Sequence, residues 1–365
     1  MRKIRRNGKS KYSLVILVIS LFIGVGYAYL TTTLNMQVDV KVSKYVNPND
    51  LAFNISKNAV ADNVSSTYVS SATGIDFSKM SSDTNGKGVY LLSSTAGNTN
   101  PIYYYRGAVD NNNVKFANFC WKIVRTTETG GVKLIYNGVP DSDGYCTNTT
   151  GAATRIAAAV FNDSASDIAY VGYMYGTIGS SDYDEIHKNT NDSAVKKIID
   201  EWYKNNMTAF TSKLEDTVWC NDRSMPSGFG ARNRLYANKA PSLECQNEND
   251  RFTVEEANGN GALTYPVAML TADEASYAGG LYYQSDGSAN NRTYYLYNAA
   301  LNWTLSPFAF DSNGTALVFY LGYAGDLGAR SVDLDSGSVR PAISLVKGTL
   351  ISGGDGTSTN PYVVQ

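Results

Sequence analysis

An α+β fold, mostly antiparallel sheet with one or two helices, follows from three observations on these 365 residues. Short apolar runs of strand length recur between Gly, Asn and Pro turns from residue 86 onward. The composition suits polar sheet surfaces and frequent turns, with 27 Tyr, 32 Gly and only 18% charged residues. Four cysteines, an even number, fall in this same stretch. The chain therefore divides into residues 1–30, a stalk or small β subdomain over 31–85, and a stapled α+β domain over 86–365.

The amino terminus sets the expected compartment. Arg2, Lys3, Arg5, Arg6, Lys9 and Lys11 precede 19 uncharged residues, Tyr12 to Leu30. As a helix rising about 1.5 Å per residue, this run spans roughly 28 Å, close to the ~30 Å hydrocarbon core. The one-sided basic flank places the amino terminus in the cytoplasm and the body outside. Gly26 and Ala28 put small residues at the positions a signal peptidase reads. The segment is thus either an export signal cleaved after Ala28 or a single-pass anchor through residues 12–30. The net charge is −2, and the chain without its six leading cations carries −8. A mildly acidic body argues against a nucleic-acid partner.

Thr31 to Ser43 alternates polar and apolar residues as a half-buried strand does. Residues 44–85 lack a strong period. Gly88 to Ser93, Pro101 to Tyr105, Val114 to Arg125 and Val132 to Tyr136 then read as strands. In the third, Phe119, Trp121 and Ile123 share one face and Cys120 takes the other. Asp192 to Asn206 is the clearest helix, capped by Asp192 or Ser193, with Val195, Ile198, Ile199 and Trp202 on one stripe. Gly151 to Ala165 is expected to hold a second, shorter helix, and residues 220–251 to be irregular. Tyr265 to Thr271, Arg292 to Tyr297, Trp303 to Pro307, Ala316 to Tyr320 and Val339 to Val346 complete the expected strands. Asp286-Gly287, Asn313-Gly314 and Ser336-Gly337 mark turns.

Of the three possible disulfide pairings, the local one is expected: Cys120 with Cys146 and Cys220 with Cys245, at separations of 26 and 25 positions. Each loop closure would contribute on the order of 3.5 kcal/mol in the chain-entropy model. An even set of cysteines fits an oxidising compartment, and with no CxxC and a single His, zinc ligation is not expected.

The segments VYLLSS, YYYRGAV, VKFANFCWKIVRTTETGGVKLIYNG, WCNDR, YPVAMLTADEASYAGG, WTLSP, VRPAISL and GGDGTSTNPYVV occur in this order. In them the chain resembles a group of exported surface proteins of low-GC Gram-positive bacteria, a group that brings no assigned activity. The Trp-x-x-Ser-Pro segment followed by a Val-Arg-Pro strand also resembles domains of the C-type lectin-like fold shared by formylglycine-generating enzymes. The sugar-binding lectins use Glu-Pro-Asn or Gln-Pro-Asp with Trp-Asn-Asp. Neither first tripeptide occurs here, and Trp219-Cys220-Asn221-Asp222 only approximates the third. Those enzymes also need a free reactive cysteine pair, whereas these four cysteines read as stapled.

Other chemistry finds little support. Ser193-Ala194-Val195-Lys196 has the Ser-x-x-Lys spacing of penicillin-recognising enzymes, without the companion Ser-Asp-Asn or Lys-Thr-Gly, so a capping Ser and a solvated Lys are expected. His187, beside Asp184 and Glu185, reads as a surface residue. Asp141-Ser142-Asp143-Gly144, Asp311-Ser312-Asn313-Gly314 and Asp333-Leu334-Asp335 read as ordinary turns, since none completes a calcium loop. Neither G-x-x-x-x-G-K-[ST] nor G-x-S-x-G occurs. No catalytic residue and no cofactor is expected. Tyr282, Tyr283, Tyr294, Tyr295, Tyr297 and Trp303 form an aromatic set between turns, suited to stacking on a sugar or anchoring a protein. The expectation is an extracellular binding or adhesion module for a glycan or protein ligand, with Trp303 as its largest anchor. A structural or fibre subunit of the cell surface, and a secreted hydrolase using carboxylates, are the alternatives.

Overall fold

Two consecutive residues in the left-handed region, Ala117 (φ 53°) and Asn118 (φ 63°), fold the run from Val114 to Arg125 back on itself. What reads as one strand is a hairpin of Asn113–Phe116 and Phe119–Thr126, with Phe116 opposite Phe119. Positive φ at both central residues gives the turn whose twist matches its strands. The Trp121 indole fastens the hairpin by donating to the Phe116 carbonyl at 3.0 Å. The computed structural model describes residues 47–62, 74–224, 229–283 and 290–365. The expected membrane segment, the strand over 31–43 and the Asp286-Gly287 turn lie outside them.

The hairpin sits in the middle of a 10-stranded mixed sheet. On one side, Phe119–Thr126 meets Tyr103–Arg106, which pairs antiparallel with Gly88–Leu91. On the other, Asn113–Phe116 lies parallel to Tyr362–Val364, so the end of the chain closes against its middle. Phe119–Thr126 also pairs with Val132–Tyr136, which continues to Ala342–Leu345 and Val267–Ala268. A five-stranded sheet forms separately, in the order Leu327–Ser331, Ala316–Leu321, Asn302–Phe310, Gly337–Val339, Ala157–Ala159.

The expected strand over Val339 to Val346 is divided between these sheets at Arg340-Pro341. Proline cannot donate to a ladder, so the break falls there. Buried Arg340 stabilises the crossing by donating to the carbonyls of Tyr136 and Leu296. The shorter helix expected in Gly151 to Ala165 does not form. Ala157–Ala159 pairs with Gly337–Val339 instead, because the exposed strand edge offers backbone partners that outweigh the helix preference of alanine.

The long helix is Ala194–Asn206, with Ser193 as its cap. It buries Val195, Ile199 and Tyr203, and its Trp202 packs on Phe119, Trp121 and Tyr136. Tyr265 to Thr271 holds only a two-residue strand. Thr271 then caps the helix Ala272–Ala278, reciprocated by Glu274 in a capping box.

The domain boundary expected near residue 86 is not where packing begins. The compact unit starts at Asn47. Helix Leu51–Ser56 buries Leu51 and Ile55, and Leu51 donates to the Thr349 carbonyl at 2.9 Å. Val60–Ala61 lies parallel to Gly88–Leu91. Cys120 is bonded to Cys146 and Cys220 to Cys245. Two disulfides fit an extracellular, oxidising location. Among the described residues no helix is long and apolar enough to cross a membrane.

Candidate functional site

The six aromatics singled out in the sequence do not form one surface. Trp303 stands in the strand Asn302–Phe310 and is 3% exposed. Its indole N–H donates to the Ala159 carbonyl at 2.8 Å, and its ring meets Phe161 edge-on. Tyr294 and Tyr295 are buried, and burial pushes both phenols well above their ordinary range. Tyr297 is half-buried against the core. The strand expected over Arg292 to Tyr297 is absent for a related reason. Tyr294, Tyr295 and Leu296 are instead buried within an irregular segment, where Tyr295 donates its N–H to the Gly107 carbonyl and Tyr297 to that of Tyr294. Trp303 as a ligand anchor is therefore corrected to a core residue, and Tyr294 and Tyr295 with it.

Tyr282 and Tyr283 remain, and they belong to a different constellation. Tyr282 is held by backbone bonds on either side of it: Leu327 donates to the Leu281 carbonyl at 2.8 Å, and Tyr283 donates to the Leu327 carbonyl. Its ring stacks parallel to Phe308 with centroids 5.5 Å apart and meets Tyr236 edge-on at 5.0 Å. Tyr236 comes from the segment read as irregular. There Gly230–Arg232 is helical and continues as a wider π-helical turn, Asn233–Asn238, pinned by buried Ala231 and Leu235. Tyr236 is 48% exposed and Tyr283 53%.

Three cations lie on these rings. The Arg232 guanidinium is 5.4 Å from the centres of both Tyr236 and Phe308. The Lys239 ammonium is 5.7 Å from Tyr282 and 6.0 Å from Tyr236, and burial lowers its pKa. Arg330 lies 5.8 Å from Tyr320, a ring close enough to Tyr282 to add to the burial that raises its phenol. None of the three is ion-paired among the described residues. The Arg232 Nε–H is buried with no acceptor among the described residues.

The other charged constellation is closed on itself. The Glu274 Oε1 accepts from Arg125 Nε and Lys133 Nζ, each at 2.8 Å. Burial alone would raise its carboxyl, but Lys133 and Arg125 hold it down at about 2. Arg234 forks onto Asp273 and reaches Asp222 at 2.6 Å. These residues line a cleft beside the Cys220–Cys245 bridge, where an acid so strong cannot exchange protons near neutrality.

Several single residues also find their places. Ser193 accepts from the Lys196 backbone as a cap, but Lys196 is buried against Asp192 and Asp200 rather than solvated, so its ammonium is engaged away from the hydroxyl. His187 is buried, not on the surface. It stacks on Tyr183, its Nδ1–H donates to the Tyr183 carbonyl, and burial with nearby Arg223 lowers it to about 4. Asp141 and Asp311 accept backbone N–H groups within their own turns. Among the described residues no three His, Cys, Asp or Glu side chains gather as a metal site. Compared with known proteins, the chain matches no family model, no curated protein and no solved structure.

Proposed function

We propose that this protein is an extracellular binding module, secreted or held by its amino-terminal segment, which takes its ligand at the surface of Tyr236, Tyr282, Tyr283 and Phe308. One observation carries the reading: exposed Tyr236 and half-buried Tyr282 and Phe308 form a fixed array overlaid by Arg232 and Lys239, cations with no acidic partner among the described residues. Rings held by their neighbours lose little entropy on contact, and an unpaired guanidinium is ready for an incoming acceptor. The disulfides and the uncharged run Tyr12 to Leu30 support the location. A likeness to C-type lectin-like domains belongs to this proposal as a frame that presents loops to a ligand.

The test is a glycan and protein array probed with the full chain in mild detergent, beside Tyr236→Ala and Tyr282→Ala. Specific binding lost in both variants, with melting temperatures nearly unchanged, is the expected result. An array with no specific binder, or one whose binders ignore both substitutions, overturns the reading. Concentration-dependent self-assembly in place of ligand binding points instead to a structural subunit.

A further inference from the structure

Resting on that reading, we infer that the ligand is an acidic saccharide whose carboxylate is taken by Arg232 while a sugar face lies on the neighbouring tyrosines. Four observations lead there. First, the buried cations of the fold are satisfied, Arg125, Lys133, Arg223 and Arg234 by carboxylates and Arg106 and Arg340 by backbone carbonyls, whereas the Arg232 Nε–H has neither among the described residues. Arg232 and Lys239 have aromatic faces but no counter-charge among the described residues. An anion arriving at the rings would supply the missing partner, and a guanidinium fork fits a carboxylate with two parallel hydrogen bonds.

Second, the positive character is local. The chain beyond its first eleven residues carries −8, and the carboxylate of Asp326 lies near Tyr320 at one margin of the patch. A polyanion tracked along its backbone, such as a nucleic acid, needs a longer basic stripe than two or three cations. A ligand with a single or sparse negative charge fits better.

Third, the adjacent sheet edge is occupied where it meets Tyr282. Leu327–Ser331 is the edge strand of the five-stranded sheet, and its Leu327 already exchanges backbone bonds with Leu281 and Tyr283. An extended peptide adds to a free edge through such bonds. Beside Tyr282 that edge is taken, so the rings and cations there offer side-chain contacts, as a pyranose with a pendant carboxylate would use.

Fourth, the ring geometry is set before any ligand arrives. Tyr282 and Phe308 lie within 1° of parallel, and Phe319 meets both edge-on from beneath. Rings fixed in this way, with a cation beside them, leave little to reorder when a sugar face and its carboxylate arrive.

The experiment measures binding of uronic-acid oligosaccharides to the full chain by calorimetry, with the same oligosaccharides after carboxyl reduction as the neutral control. The expected result is saturable binding that weakens as salt rises, falls at least about tenfold on carboxyl reduction, and falls at least about tenfold in Arg232→Gln. Arg232→Lys, which keeps the charge but loses the fork, should recover only part of the affinity. Melting of each variant is recorded, and Lys239→Gln, at the half-buried end of the same turn, serves as a second reporter should Arg232→Gln disturb the fold. Equal affinity for the reduced oligosaccharide, or equal binding of a thymidine oligonucleotide, overturns the acidic-saccharide assignment. Neutral glycans or proteins that depend on Tyr236 and Tyr282 would sink this inference and leave the binding module standing. Loss of all tyrosine-dependent binding sinks both.

Discussion

Trp303 donates its indole N–H to the carbonyl of Ala159, although a whole strand lies between them in the sheet. The indole reaches across that strand at Gly337, where an added Cβ would come within 2.0 Å of the ring nitrogen. The close approach is why Gly337 begins a strand as well as following a turn residue. Trp303→Ala should destabilise the fold by about 3–5 kcal/mol through cavity formation and an orphaned carbonyl. Gly337→Ala should destabilise it too, by pushing the indole away. Denaturant unfolding checks both, and an unchanged midpoint in either would contradict the packing described.

The two disulfides join segments that the hairpin and the charged cleft depend on. Replacing Cys220 and Cys245 together with Ser should lower stability by about 3 kcal/mol, and replacing Cys120 and Cys146 by a similar amount. Non-reducing peptide mapping should recover Cys120 with Cys146 and Cys220 with Cys245. A peptide joining Cys120 to Cys220 would refute the arrangement.

His187 supplies a pH dependence with a definite sign. Its folded pKa is about 4 against an ordinary 6.5, because burial and Arg223 disfavour the imidazolium. The unfolded chain therefore takes up a proton below pH 6.5 that the folded chain refuses until about pH 4. Stability is highest above this window and falls as the pH falls through it. Melting measured from pH 7 to 4 should show that decline, and His187→Phe should flatten it. A wild-type curve level across the window would contradict the buried, neutral imidazole.

How much of this could be read from residues alone depends on where each signal resides. The helix Ala194–Asn206 carries its stripe and its cap in one stretch, and the spacing of the cysteines favoured local closure. The Thr271-x-x-Glu274 capping box was also on view, but the apolar run before it drew the reading toward a longer strand. The hairpin turn at Ala117-Asn118 was hidden because alanine carries no mark of positive φ. The aromatic patch was half legible: Tyr282 and Tyr283 stand in a Tyr pair, whereas Tyr236 and Arg232 needed the i, i+4 pair Ala231 and Leu235 to be recognised as a helical turn. Burial of Trp303 rests on Ala159 and Gly337, partners far along the chain that no local period reveals.

Glu274 gives the last prediction. Its carboxylate is buried with Arg125 and Lys133 on one oxygen and the Thr271 N–H on the other. Lys133 also lies over the Trp219 ring at 4.2 Å, so the cluster ties the large sheet to the disulfide-linked segment. Glu274→Gln keeps the shape but removes the charge, leaving Lys133 buried without a carboxylate and Arg125 with Glu128 alone. Breaking such a cluster by removing one partner costs about 3–5 kcal/mol. Replacing Arg125, Lys133 and Glu274 together with Met should therefore be less harmful than Glu274→Gln, since the only partner left behind, Glu128, is half exposed to water. Acid acts on the same group in its own window. With the folded pKa held at about 2 against an ordinary 4.5, the stability Glu274 contributes is present above pH 4.5 and declines as the pH falls toward 2. Unfolding of Glu274→Gln followed through this range should lack that component while retaining the decline due to His187 at higher pH. Were Glu274→Gln as stable as the parent, the cluster would be dispensable to the fold, and its charges would be free to serve another purpose.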